Sequence, residues 1–190
     1  MDILVLGIGN TLLSDEGIGV HVVQSLLSPP NGPREKVEYI DGGTLSFTLA
    51  GPIQSADALI VIDAAQLSAP AGSLQVFLGE DMDRFLAANR MASVHEVGLT
   101  DLRSIAILAG HWPERRALIG IQPQKLDWGD YPTPEVAAAI PAACRQVNSL
   151  IDGWLIVPNT GPGPARAPCA NDRYGRRPCV RRSRPRLCGR

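Results

Sequence analysis

Short apolar runs alternate along the chain with segments whose apolar residues recur at helical spacing. Ile3-Leu4-Val5-Leu6 is continuous and closed by Gly7, the pattern of a strand buried on both faces of a parallel sheet. Gly7-Ile8-Gly9-Asn10 then predicts a turn. Ile18, Val20, Val22, Val23, Leu26 and Leu27 give the following helix a largely apolar face up to Ser28-Pro29-Pro30. The same β–loop–α pattern recurs. Val37 to Asp41 predicts a second strand, Gly42-Gly43 a turn, and Leu45 to Ile53 an irregular helix containing Gly51-Pro52. Ala58-Leu59-Ile60-Val61-Ile62-Asp63 is the clearest buried strand, and it ends in a carboxylate. Leu74 to Leu78 predicts a fourth strand, followed by a helix from Asp81 to Asn89. A helix through Leu99, Leu102, Ile105 and Leu108 leads to strand five, Ala117 to Ile121. The last helix is expected from Thr133, an N-cap before Pro134, to about Leu150. Such alternation predicts an α/β fold in three layers: a mainly parallel five-stranded sheet with helices on both faces.

Composition divides the chain. Residues 158–190 are rich in Pro, Gly and Arg, and hold nine Arg and one acid, Asp172, a net charge of +8. With almost no aliphatic residues, this segment cannot bury enough apolar surface to offset its chain entropy, and it is expected to be a disordered tail. The rest, residues 1–157, is a single expected domain with nine Lys/Arg against eighteen Asp/Glu, a net −9. A body so acidic argues against nucleic-acid binding. No apolar run approaches the roughly 20 residues of a membrane span, and the N-terminus lacks the basic start of a signal peptide. Cys144 stands alone in the body, and the spacings of Cys169, Cys179 and Cys188 fit neither a Cys-x-x-Cys zinc site nor a disulfide framework. A soluble, cytoplasmic, reduced protein is the expectation.

Candidate chemistry begins at Gly7-Ile8-Gly9-Asn10-Thr11-Leu12. A dinucleotide fingerprint would need a third glycine where Leu12 stands, and a helix N-terminus open to pyrophosphate, where this chain has Asp15 and Glu16. Asp15 fits a helix cap, whereas Glu16 is not needed as one and can project over the carboxyl edge of the sheet. That edge is where open parallel sheets bind ligands. Asp63 emerges there from an apolar strand, either capping a turn at Ala64-Ala65 or held by a counter-charge or metal. Asp41, before Gly42-Gly43, reads as a turn former. His21 and His111 read as structural or solvated. His95 falls in the loop Ser93-Val94-His95-Glu96, on the side where Glu16 and Asp63 emerge. A lone loop histidine is usually only solvated, but one imidazole with two carboxylates makes a mixed N/O set suited to a first-row divalent ion. Nucleophilic catalysis has no comparable set: Ser14 and Ser93 lack a Gly-x-Ser-x-Gly elbow, Cys144 reads as helix packing, and no His-Glu-x-x-His pair occurs.

The ordered segments Gly7-Ile8-Gly9-Asn10, Asp15-Glu16-Gly17-Ile18-Gly19, Asp41-Gly42-Gly43-Thr44, Ile62-Asp63-Ala64 and Ser93-Val94-His95-Glu96-Val97-Gly98-Leu99 resemble the hydrogenase maturation endopeptidases. These enzymes process the large subunit of nickel–iron hydrogenases, and the resemblance covers about residues 1–157. It implies a twisted five-stranded sheet between helices, and a metal-binding and catalytic trio mapping onto Glu16, Asp63 and His95. It also implies a precursor that already carries nickel and loses a short C-terminal extension. Nickel would be a recognition element brought by that substrate, with no organic cofactor, no nucleic-acid or membrane partner, and the chain acting as a monomer. The enzyme would be an endopeptidase of aspartic or metal-dependent type. Two other readings stay open: a non-catalytic nickel chaperone using the same residues, and a doubly wound nucleotide or flavin binder using Gly7 and Gly9, with Asp41 as ribose partner. Leu12 and Glu16 count against the latter.

Overall fold

A computed structural model describes residues 1–44, 47–88 and 99–156. Five strands form one sheet: β1 (Ile3–Ile8), β2 (Val37–Gly43), β3 (Ala58–Ala64), β4 (Leu74–Leu78) and β5 (Arg115–Ile121), in the order β2-β1-β3-β5-β4. Strands β2, β1, β3 and β5 are mutually parallel. Strand β4 runs antiparallel to β5 at the sheet edge. Residues 65–73, which precede it, contain no helix, and without a helical crossover the chain has no short route to a parallel partner.

Because side chains alternate along a strand, the apolar runs serve two cores. Ile3, Val5, Ile60, Ile62, Ile119 and Ile121 face α1 (Ile18–Leu27) and the C-terminal helices, where Val22, Leu26, Val147 and Ile151 are buried with them. Leu4, Leu6, Leu59, Val61 and Leu118 face the opposite layer, packed with Ile53 of α2 (Ala50–Ser55), Met82 of α3 (Glu80–Ala88) and Leu102 of α4 (Leu99–Leu108). Burial on both faces explains why these strands read as continuous apolar runs. Cys144 sits in the first core, 5 % exposed, as packing.

Several boundaries differ from expectation for local reasons. The irregular helix expected over residues 45–53 begins with a 3-10 turn, Phe47–Leu49, and continues as α2, with Pro52 in its first turn where no N–H is required. Residues 45 and 46 lie outside the described residues, as does the expected tail 158–190. The last helix is two: α5 (Pro134–Ala137) and α6 (Ile140–Ile156). Pro141 has no N–H to return to the Ala137 carbonyl, so a continuous helix cannot cross it.

Two glycines set how closely α1 approaches the sheet. Gly9 has φ +135°, and a Cβ there would lie 1.8 Å from the Glu16 carbonyl oxygen. A Cβ on Gly19 would lie 2.2 Å from the Ile62 carbonyl oxygen and 2.4 Å from that of Ile8. The Gly-rich turn therefore seats a helix against β1 and β3, with the Glu16–Gly17 backbone packed directly against Gly9. Gly19→Ala is expected to cost roughly 1–3 kcal/mol or more by overpacking backbone against backbone, read as a lowered thermal midpoint by circular dichroism.

Candidate functional site

Strand order reverses between β1 and β3, since the chain passes from β1 outward to β2 and then returns to β3 on the other side. In open α/β sheets the crevice outside such a switch point is the place for ligands. Residue 16 follows β1 and residue 63 lies near the end of β3, so both expected carboxylates arrive at this crevice.

Glu16 lies in a 3-10 turn, Ser14–Gly17, immediately before α1. It is 5 % exposed, and its Oε2 accepts the Asn10 N–H at 3.0 Å. Asp15, its neighbour, is fully buried and does not cap α1, whose N-cap is Gly17 with no side-chain hydrogen bond. Its carboxylate faces the segment after β5 instead. Oδ2 accepts the N–H groups of Gln124 at 2.9 Å and Lys125 at 2.8 Å. Oδ1 accepts the Thr133 N–H at 2.5 Å, and the Thr133 hydroxyl lies 2.9 and 3.0 Å from the two oxygens. Burial alone would raise the Asp15 pKa, but the N–H groups of Thr133, Lys125 and Gln124 and the Thr133 hydroxyl outweigh it and hold the pKa below the ordinary value. Thr133 correspondingly makes no side-chain cap on α5. The cap expected of each residue is replaced by a bond between them.

Further backbone bonds join the same segments. Ser14 N–H donates to the Gly129 carbonyl at 2.8 Å, Gly129 N–H to that of Leu12 at 3.0 Å, and Asp15 N–H to that of Lys125 at 3.3 Å. The Ser14 hydroxyl donates to the Asp127 carbonyl at 2.8 Å. Glu16 is thus presented by a turn clamped to residues 124–133. The adjoining Gln122 is 7 % exposed; its amide accepts from Leu67 N–H at 2.7 Å and donates to Gln66 Oε1 at 2.8 Å, tying in the chain that leaves β3. Sequence reasoning misses these ties, whose partners stand 55 to 118 positions apart.

Asp63 stays within β3, opposite Gly120 of β5. The turn expected at Ala64-Ala65 does not form there, because Ala64 pairs with Ile121 and Ala65 N–H donates to the Ile121 carbonyl at 2.9 Å. The Asp63 carboxyl is only partly open to solvent. Burial raises its pKa, the Ala64 N–H lowers it by less, and the negative charge of Glu16 raises it further, to about 7. Two carboxylates in one crevice accommodate a shared proton or a cation. Among the described residues no group of three or more His, Cys, Asp or Glu forms a metal-binding cluster. His95 lies in residues 89–98, outside those described.

The other candidates take structural places. Asp41 Oδ1 accepts the Gly43 N–H at 2.9 Å, the turn role expected of it. His111 Nε2 pairs with the Ala56 carbonyl at 2.9 Å, joining its turn to the end of α2. His21 is half-buried on α1; burial pushes its pKa down, with a smaller opposing pull from Asp41.

A sequence model described as hydrogenase maturation protease matches residues 20–150. The chain is 36 % identical over 167 residues to the hydrogenase expression/formation protein HupD of Rhizobium leguminosarum bv. viciae, covering 87 % of this chain and 82 % of that one. It is 37 % identical over 147 residues to the hydrogenase 2 maturation protease of Escherichia coli K12, covering 77 % of this chain and 88 % of that one. Among solved structures, the hydrogenase maturating endopeptidase HybD from E. coli matches with a TM-score of 0.70 and 35 % identity, over 80 % of this chain and 94 % of that chain. With a family model matched over residues 20–150 and relatives above 30 % identity over most of both chains, this chain belongs to the hydrogenase maturation protease family.

Proposed function

We propose that the chain is an endopeptidase that removes a C-terminal extension from the nickel-loaded precursor of a hydrogenase large subunit, and that Glu16, Asp63 and His95 engage the nickel the precursor carries. What supports this reading is the pair of carboxylates, Glu16 and Asp63, at the switch-point crevice, where the charge of Glu16 acts on Asp63 and a partly buried acid pushed up to about 7 favours a proton or a cation. The nickel is part of the substrate. Only a loaded precursor offers the positive charge that relieves the repulsion between the two acids, so metal loading acts as the filter on which precursor docks well. In the cleavage step a water oxygen attacks the scissile carbonyl carbon, a carboxylate of the pair takes the water proton, and the C–N bond breaks as the leaving amine gains a proton. The metal-centred group assists the attack on that carbonyl.

The test incubates the chain with large-subunit precursor prepared with and without nickel and follows the products by mass spectrometry. Loss of the extension from the nickel-loaded precursor alone is the expected result. His95→Ala should slow it by at least about 100-fold, the lower range for removing a group that acts on the reacting centre. Nickel transfer without cleavage would instead establish a chaperone, and equal cleavage of both precursors would remove the nickel filter.

A further inference from the structure

The segment that Asp15 clamps carries side chains that the interior does not use. Trp128 is 74 % exposed, Tyr131 80 %, and Leu126 52 %. Leu12, 52 % exposed, lies on the strand of chain whose carbonyl accepts the Gly129 N–H. Four large apolar residues therefore stand on two hydrogen-bonded segments, and those segments lead directly into the turn that holds Glu16. The aromatic residues bring about 150–250 Å² of surface each when buried. A solvated surface loop would be expected to be mobile and polar, but this one is anchored by a fully buried carboxylate, the Ser14 hydroxyl and three backbone bonds. Trp and Tyr side chains displayed on a backbone that is already anchored cost less ordering on binding, and such residues are the usual anchors of protein interfaces. Asp127 and Asp130 are exposed between them, and Lys125 beside Leu126, giving the patch a net acidic rim on a body with net charge −9.

We propose that Leu12, Leu126, Trp128 and Tyr131 form the docking surface for the substrate protein, gripping an apolar, basic-rimmed surface of the hydrogenase large-subunit precursor beside the bond to be cut. The inference rests on the endopeptidase reading, because a protease whose substrate is a protein must hold more of it than the scissile peptide, and this patch stands on the segments hydrogen-bonded to the turn that holds Glu16. The clamp then has two outputs, since one carboxylate, Asp15, sets both the turn presenting Glu16 and the surface that seats the substrate. Docking and the site are thereby held in fixed register.

The experiment compares the full chain with its W128S/Y131S double variant, and separately with L126S, using nickel-loaded precursor. Processing kinetics, precursor binding by calorimetry, circular dichroism and sedimentation are recorded for each. The expected result is a KM raised about tenfold or more in the double variant, as for loss of interface anchors, with kcat and thermal midpoint unchanged. A smaller rise is expected for L126S. Unchanged KM in both variants would overturn the proposal, as would a fall in kcat at constant KM, which would place the aromatics in the chemical step. A wild-type dimer that the double variant dissolves without change in KM would assign the face to a second copy of the chain and overturn it too. If wild-type chain binds precursor without cutting it, the endopeptidase reading fails, and the docking proposal is still decided by whether the double variant weakens that binding.

Discussion

Asp63→Asn is expected to abolish precursor processing and, in the metal-free chain, to raise thermal stability at pH 8. The two outcomes share one cause. The Asp63 pKa is about 7 in the folded chain against an ordinary 3.8, so between those values the folded form binds a proton that the unfolded form has lost. Stability from this group accordingly declines as pH rises through about 4 and reaches its full cost above about 7. Moving a carboxyl from 3.8 to about 7 corresponds to roughly 4 kcal/mol, and partial access to solvent reduces this to on the order of 2 kcal/mol. Asparagine has no such charge to desolvate, so the variant should melt higher by about 4–8 °C at pH 8, with the difference shrinking toward pH 4. On the proposed function, the same substitution would remove an acceptor for the water proton and a group engaging the precursor's nickel, and processing should fall by at least about 100-fold. Added divalent cation should raise the melting temperature of the native chain and leave that of the variant nearly unchanged. Glu16→Gln should lose processing as well. Parallel melting curves for native and Asp63→Asn chains from pH 4 to 8 would remove the argument for a strained acid, and full processing by both variants would remove the site.

Asp15→Asn should give the largest loss of stability among single polar substitutions in the body. The carboxylate is fully buried and accepts bonds from three backbone N–H groups and one hydroxyl. An amide of the same shape turns an NH₂ toward donors, leaving some of them unsatisfied at about 1–3 kcal/mol each. A total of about 3 kcal/mol is expected, equivalent to a fall of about 10 °C in the thermal midpoint for a body of this size. The linkage has the opposite sign to that of Asp63. A depressed pKa contributes stability that is present above the ordinary 3.8 and lost as pH falls through the folded value, so native and variant midpoints should converge below about pH 4. Thr133→Val, which removes the hydroxyl but keeps the N–H, should cost only about 1 kcal/mol. A variant that melts like the native chain at pH 7 would mean that the clamp carries little of the local structure.

Much of the architecture follows from short-range pattern. The continuous apolar runs of β1, β3 and β5 became central strands because burial on both faces of a sheet requires continuous apolar side chains, and the helical stripes of α1 and α6 cover one core while α2, α3 and α4 cover the other. The parallel direction of β1, β2 and β3 follows from the segments between them, and it brings the ends of β1 and β3 to one edge. For that reason Glu16 and Asp63 could be placed together from their positions at strand ends, without reference to contacts. The strand that defied this logic is β4, whose preceding segment lacks the helix a parallel return requires.

Asp15 marks the other side of the division. In a local window an aspartate one turn before a helix is a cap, because the nearest donors are the helix's own N–H groups. In the folded chain the donors of Gln124, Lys125 and Thr133, 109 to 118 positions away, outcompete them, and Gly17 is left to begin α1 without a side-chain cap. Likewise the raised pKa of Asp63 exists only once burial and the charge of Glu16 act on it together. Periodicity is a property of neighbours along the chain and survives reading in one dimension. Desolvation and long-range hydrogen bonding depend on which distant groups arrive within a few ångströms, and only the assembled fold determines that.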